Sequence, residues 1–150
     1  MPADAHAFVT SRTLPARRER VWAAFSEPVA LAGWWGPQGF SSTFHEFDFR
    51  PGGVWRFTLH GPDGAAYAMD HRFADIVAPE RLVVRHLQPG HDFTLTITLA
   101  DRAGATAITW HMLFDDPAEA ARVQAFVIPA NEQNLDRLEQ HLSARPPSVR

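Results

Sequence analysis

The sequence predicts an α+β fold: one strand, two short helices, six antiparallel strands and a long C-terminal helix inside a curved sheet. Three observations carry this. The run Phe93-Thr94-Leu95-Thr96-Ile97-Thr98-Leu99 alternates strictly, with apolar residues on one face and threonines on the other. That is the pattern of a strand buried on one side and wet on the other. Turn chemistry separates such runs at Arg50-Pro51-Gly52-Gly53, Gly61-Pro62-Asp63-Gly64, Ala78-Pro79-Glu80-Arg81, Gln88-Pro89-Gly90-His91 and Asp101-Arg102-Ala103-Gly104, which makes a meander. From Pro117 to Leu142 the pattern is helical, for a length of about 39 Å at 1.5 Å per residue.

The elements follow in order. His6 to Leu14 reads as the first strand. Pro15 is placed in the first turn of a helix, where its missing N–H is no loss; Val21, Trp22 and Phe25 form its apolar stripe to about Ser26. A second short helix, around Pro28 to Trp34, ends at Gly36-Pro37. In Arg50-Pro51-Gly52-Gly53, proline presets the second position and Gly52 supplies positive φ at the third.

The strand from Ala66 to Val77 accepts two registers. Pairing through Gly61–Gly64 turns Asp70 and Arg72 inward, whereas pairing through Ala78–Arg81 turns His71 and Phe73 inward. The two coexist only with a bulge. The second register is preferred, because a buried Asp70–Arg72 pair would at best break even. In the last strand Ile108, Trp110, Met112 and Phe114 oppose Thr109 and His111. Asp116-Pro117-Ala118-Glu119 supplies an N-cap, a proline at the first helical position and a capping-box Glu. Pro129 is expected to kink the long helix.

At 150 residues one domain is expected, with an ordered core from about 6 to 142 and loose ends at 1–5 and 143–150. The chain has no cysteine and a net charge of −3. There is thus no thiol chemistry, and no broad attraction for nucleic acid or anionic lipid. No apolar run reaches the ~20 residues of a membrane span, and the N-terminus lacks the pattern of a secretory signal; a cytoplasmic location is expected. All 14 basic residues are arginine, which excludes Schiff-base chemistry and a phosphate-loop lysine.

The eight histidines show no helical metal-pair spacing, so no metal site and no cofactor is assigned. His86 shares the parity of Leu82 and Val84 and points inward; an inward His71 would sit near it as a polar pair. An inward histidine is more often a satisfied core residue than a catalyst. On the long helix, Asn131 and Asn134 fall in the same arc as Val127, Leu135, Leu138 and Leu142. A buried amide costs ~1–3 kcal/mol unless it is hydrogen-bonded. Either a carbonyl or neighbouring side chain meets these two, or they line a cavity and meet a ligand or water. Trp34 and Trp35 precede a Gly-Pro break and are expected to wall a pocket entrance, whereas Trp55 and Trp110 read more readily as core.

Five segments carry a family resemblance: Trp34-Trp35-Gly36-Pro37, Phe47-Asp48-Phe49-Arg50-Pro51-Gly52-Gly53-Val54-Trp55-Arg56-Phe57, Gly61-Pro62-Asp63-Gly64, Pro79-Glu80-Arg81-Leu82 and Ala130-Asn131-Glu132-Gln133-Asn134-Leu135-Asp136-Arg137-Leu138. With them, and with the element order, the chain resembles the START-like (SRPBCC, Bet v-type) superfamily. Within it the chain is most similar to the branch named after the activator of the heat-shock-protein-ninety ATPase, from about Val9 to Leu142. Many members carry a Glu-Gly-Trp-like stretch in the last helix, where this chain reads Pro129-Ala130-Asn131-Glu132. The resemblance implies a helix-grip fold whose cavity, between sheet and helix, often holds an apolar ligand.

The residues expected to line that cavity are Trp34, Trp35, Phe57, His71, Phe73, His86, Trp110, Val127, Asn131 and Asn134. Asn131, Asn134 and His71 or His86 would be the polar handles, and no catalytic residue is assigned. The expected partner is a small apolar molecule; a homodimer is left open. A cyclase- or hydrolase-type enzyme is the alternative, and it needs two titratable groups within hydrogen-bond reach in the cavity. A co-chaperone-like interaction module is a third reading. Chaperone binding is not expected, since the eponymous co-chaperones use a separate N-terminal domain for it.

Overall fold

The structure, a computed structural model, describes residues 7–144. The loose end expected at 1–5 falls outside them, as does the one expected at 143–150 from residue 145 on; Ser143, expected in that tail, instead ends the last helix. The elements are β1 (Ala7–Leu14), α1 (Arg18–Ser26), α2 (Pro28–Trp34), β2 (Ser41–Phe47), β3 (Val54–His60), β4 (Ala66–Val77), β5 (Arg81–His86), β6 (Phe93–Arg102), β7 (Ala105–Phe114) and α3 (Pro117–Ser143). The seven strands form one curved sheet in the order β1-β7-β6-β5-β4-β3-β2. Every neighbouring pair is antiparallel. Strands β2 to β7 are the expected meander, and β1 returns to its far edge. The long helix packs on β1 and β7 and on both short helices. This is the helix-grip arrangement.

The two registers offered for β4 are reconciled by two local features. The β3–β4 loop has three residues, Pro62 to Gly64, not the two left by pairing Gly61 with Gly64: Gly61 N donates to Ala65 O at 2.8 Å and Gly64 adopts φ +88°. A type I turn followed by one left-handed residue is a usual three-residue hairpin loop, and the extra residue moves the pairing by one. Trp55 therefore faces His71, and Phe57 faces Met69. A bulge between Phe73 and Asp75 then absorbs the mismatch with β5. His71 and Phe73 are both buried, while Asp70 stays at the surface with Arg56 and Arg72.

Two expectations are corrected. Helix α1 starts at Arg18, not at Pro15: Ala16 N donates to Leu14 O, and the first helical bonds run from Arg20 and Val21 to Arg17 O. Pro15 sits in the bend before it. At the head of α3, the Asp116 carboxylate accepts from Ala118 N as a cap, but Glu119 does not reach back to complete a box. It turns inward instead. Pro129 does not end the helix, which continues to Ser143. Ala125, whose carbonyl loses its partner there, and Pro129 are both exposed, so water can serve the freed group.

Aromatic rings fill the space between α2 and the sheet. Trp35 meets Trp34, Trp55 and Trp110 at centroid distances of 5.6, 5.1 and 5.5 Å. Phe73 lies parallel to Trp55, and Phe49 and Phe47 pack on Phe73. Such contacts add ~0.5–1.5 kcal/mol per pair beyond area burial.

Candidate functional site

The inward row of β3 and β4 outruns its cover. Beyond Trp55 and Phe57 it continues with Leu59, and beyond His71 with Met69 and Tyr67. There α3 no longer lies over the sheet. A cleft of about 630 Å³ opens between this end of β3–β4, the β5–β6 loop and the first half of α3. Its walls include Phe40, Leu59, Met69, Phe93, Tyr67 and Phe126. The last two stand at its mouth, 47% and 63% exposed.

One side of the cleft is polar, formed by His86, Gln88 and His91. Strand β5 carries His86 inward, where its Nδ1 lies 3.1 Å from His71 Nε2 and its Nε2 lies 3.2 Å from Gln88 Oε1. A neutral imidazole donates from one nitrogen and accepts at the other. The chain Gln88–His86–His71 therefore runs in one of two directions, set by how the Gln88 amide is turned. His71 is sandwiched by rings, 4.8 Å from Trp55 and 5.3 Å from Phe57. Its Nδ1, beside the Trp55 backbone, is outside hydrogen-bond geometry with any described partner.

His91 is placed by a turn. Gln88-Pro89-Gly90-His91 closes with His91 N donating to Gln88 O at 2.7 Å, and Gly90 takes φ +83°. That is a type II turn, in which proline and then glycine suit the two central positions. Asp92 fastens the loop by accepting from Gln88 N at 2.6 Å. Arg85, paired with Asp115 at 2.8 Å, lies 3.6 Å from the Asp92 carboxylate. The His91 ring stands edge-on to His86 at 5.6 Å. Its Nδ1 meets the carboxylate of Glu119, which is only 5% exposed and also contacts Arg122.

All three histidines are held toward the neutral form. Burial, and then the neighbouring His86, push His71 well below the usual histidine range. Burial lowers His86, with Gln88 partly opposing it. Burial and then Arg122 lower His91, with Asp92 opposing. At neutral pH the polar side of the cleft is thus uncharged at its imidazoles.

Of the residues expected to line a cavity, His86 borders this cleft and His71 backs it. The others lie elsewhere. Trp34 is no entrance wall: it is fully buried, packs on Phe25, and its Nε1 donates to Ala24 O at 3.0 Å. Trp35 packs among three other tryptophans, and Phe57, Phe73, Trp110 and Val127 are core. Asn134 Nδ2 donates to Trp34 O at 3.1 Å, which is the plain structural use of a buried amide. Asn131 is buried, and among the described residues its Nδ2 finds the Met112 sulfur at 4.0 Å. It borders a separate crevice of about 250 Å³ between β1 and α3. Among the described residues, no group of three or more His, Asp or Glu could hold a metal ion.

Sequence reasoning missed Gln88, His91, Glu119, Tyr67 and Phe126. Two of these left a signal. Phe126 sits about 120° around the helix from Leu138, an aromatic off the buried stripe. Glu119 looked already explained by capping.

The model of the Activator of Hsp90 ATPase homolog 1-like family matches residues 15–143. The chain belongs to that family. Solved structures agree in fold. A protein of Arthrobacter aurescens, 21% identical, superposes with TM-score 0.88 over 99% of this chain and 92% of its own. One from Nitrosomonas europaea, 22% identical, gives 0.84 over 95% and 97%. One from Chromobacterium violaceum, 28% identical, gives 0.79 over 89% and 95%. No curated protein matches the chain in sequence. Membership of the Activator of Hsp90 ATPase homolog 1-like family accounts for the fold; no helix among the described residues is long and apolar enough to cross a membrane.

Proposed function

We propose that the protein binds a small, mostly apolar molecule with one hydrogen-bonding group in the cleft at the end of β3 and β4. The observation that carries this is an apolar cleft of about 630 Å³ with uncharged imidazoles and an amide along one side. That volume lies within the ~300–1,000 Å³ of ligand pockets, which pair apolar walls with a few placed polar groups. Aromatics at the mouth, Tyr67 and Phe126, offer area for an aromatic or alicyclic ligand. Gln88, whose amide His86 holds in place, meets its polar atom.

Calorimetric titration with uncharged aromatic ketones and alcohols tests the reading. Binding in the micromolar range is expected, weakened at least tenfold by Phe126→Asp with thermal stability unchanged, because Phe126 is exposed. Equal affinity in Phe126→Asp, or no binding across the series, refutes it.

A further inference from the structure

We propose that His91 and Glu119 form an acid–base pair that moves a proton on an enolisable ketone bound in the cleft. The inference rests on the binding reading and adds a chemical step to it. Glu119, buried and held by Arg122, engages His91 Nδ1 and so fixes which ring edge faces away from it. Nε2 is left on the opposite edge of a ring that lines the cleft. A carboxylate on one imidazole nitrogen orients the ring and stabilises the imidazolium that forms when the other nitrogen takes a proton. Burial and Arg122 keep His91 unprotonated at neutral pH, as a base must be. Glu119 sits in the first turn of α3, where the helix dipole favours its charge.

The step balances without a cofactor. His91 Nε2 takes a proton from a carbon next to the carbonyl; the C–H bond breaks and an N–H bond forms. The electron pair moves through the C–C bond onto the carbonyl oxygen. With Gln88 Oε1 accepting from His86, the Gln88 amide nitrogen remains as a donor for that enolate oxygen. The proton on Nε2 either passes to a conjugated carbon, which shifts a double bond, or is replaced from solvent water before a hydron is returned to the original carbon, which is hydrogen exchange. His91 is the catalytic residue, and Glu119 is a positioning residue.

The test follows 2-tetralone and 4-phenylbutan-2-one in D₂O by NMR, with binding of each measured separately. Saturable exchange of the α-protons about 100-fold above buffer is expected, the low end of general-base catalysis. His91→Gln, with the ketone bound to saturation, should return the rate to that of buffer. Glu119→Gln should slow exchange and move the acid limb of its pH profile to lower pH, since His91 loses its negative partner while Arg122, Asp92 and His86 remain around it. A purely structural Glu119 would leave that limb in place. Bound ketone exchanging at the buffer rate, or His91→Gln exchanging as fast as the native protein, overturns the proposal and leaves the binding reading intact. If neither ketone binds, both fall.

Discussion

Lowering the pH from 7.5 to 5.5 should cost this fold about 2 kcal/mol, most of it through one pair of side chains. His71 and His86 are 3% and 1% exposed, 3.1 Å apart, and both are lowered below the usual range by burial. In the unfolded chain each titrates near ~6.5. Below that value the unfolded state takes up protons that the folded state refuses, so stability falls as pH falls; it is fully present above the unfolded value. Each refused proton costs about 1.4 kcal/mol per pH unit. His71, the more strongly lowered, contributes the larger part, roughly 1 kcal/mol over this window, and His86 somewhat less. His91, partly exposed, adds a smaller share in the same direction. Arg85 lowers Asp115, but such carboxylates lose their contribution at more acidic pH, outside the window. Urea unfolding followed by near-UV circular dichroism at pH 7.5, 6.5 and 5.5 measures the slope. In His71→Phe, whose ring keeps the stack between Trp55 and Phe57, the slope should fall by at least half. A native protein equally stable at pH 7.5 and 5.5, or a His71→Phe slope equal to the native one, refutes the reasoning.

Three further outcomes are expected from denaturant unfolding. Asn134→Leu should lose ~1–3 kcal/mol by leaving the buried Trp34 carbonyl without its donor, with ligand affinity unchanged; a stabilised variant would contradict this. Arg137 Nη1 donates to the carbonyls of Trp35, Gly36, Pro37 and Phe40, and Nη2 to Gly33 O. Arg137→Met should therefore cost at least ~2 kcal/mol. Arg137→Lys should recover only part of it, since an ammonium cannot present the same planar fork. In the β2–β3 turn, a Cβ on Gly53 would stand 1.9 Å from Asp48 O, whereas Gly52, at φ +83°, has open space. Gly53→Ala should cost more than ~3 kcal/mol and Gly52→Ala ~1–2 kcal/mol; the reverse order would show that the turn rebuilds itself.

The elements were legible because their signals are local. Alternation marked β6 and β7, and glycine and proline marked the turns. The long helix announced its cap and its stripe. The inward directions of His86, Asn131 and Asn134 followed from parity and helical phase alone, and that of His71 from the cost of burying Asp70 with Arg72 instead. What those residues do there did not follow. Asn134 meets a carbonyl about a hundred positions earlier, and His91 meets Glu119 from another element; neither partner has a sequence spacing that reveals it. The β4 register illustrates the limit in a different way. One additional left-handed glycine in the hairpin loop decides which of two faces is buried, and both loops share the same four residue types.

The position of the cleft follows from how the helix is used. Asn134 and Arg137 tie α3 to the end of α2, and Arg12 of β1 ties it through Glu132, Asp136 and Glu139. Both anchors hold its second half. Between α2 and the sheet the tryptophans pack on one another, and Trp34, Trp55 and Trp110 are fully buried. Glu119, in the first half of α3, ties it to His91 of the β5–β6 loop, and the cleft lies beside that tie. Whatever enters the cleft therefore does so next to a contact that joins the helix and the β5–β6 loop. Cutting that contact with Glu119→Gln should loosen the loop and the head of α3 together, seen as faster amide exchange at residues 88–92 and 117–122 with the second half of α3 unchanged. Faster exchange along the whole helix would show that the two halves are not independently held.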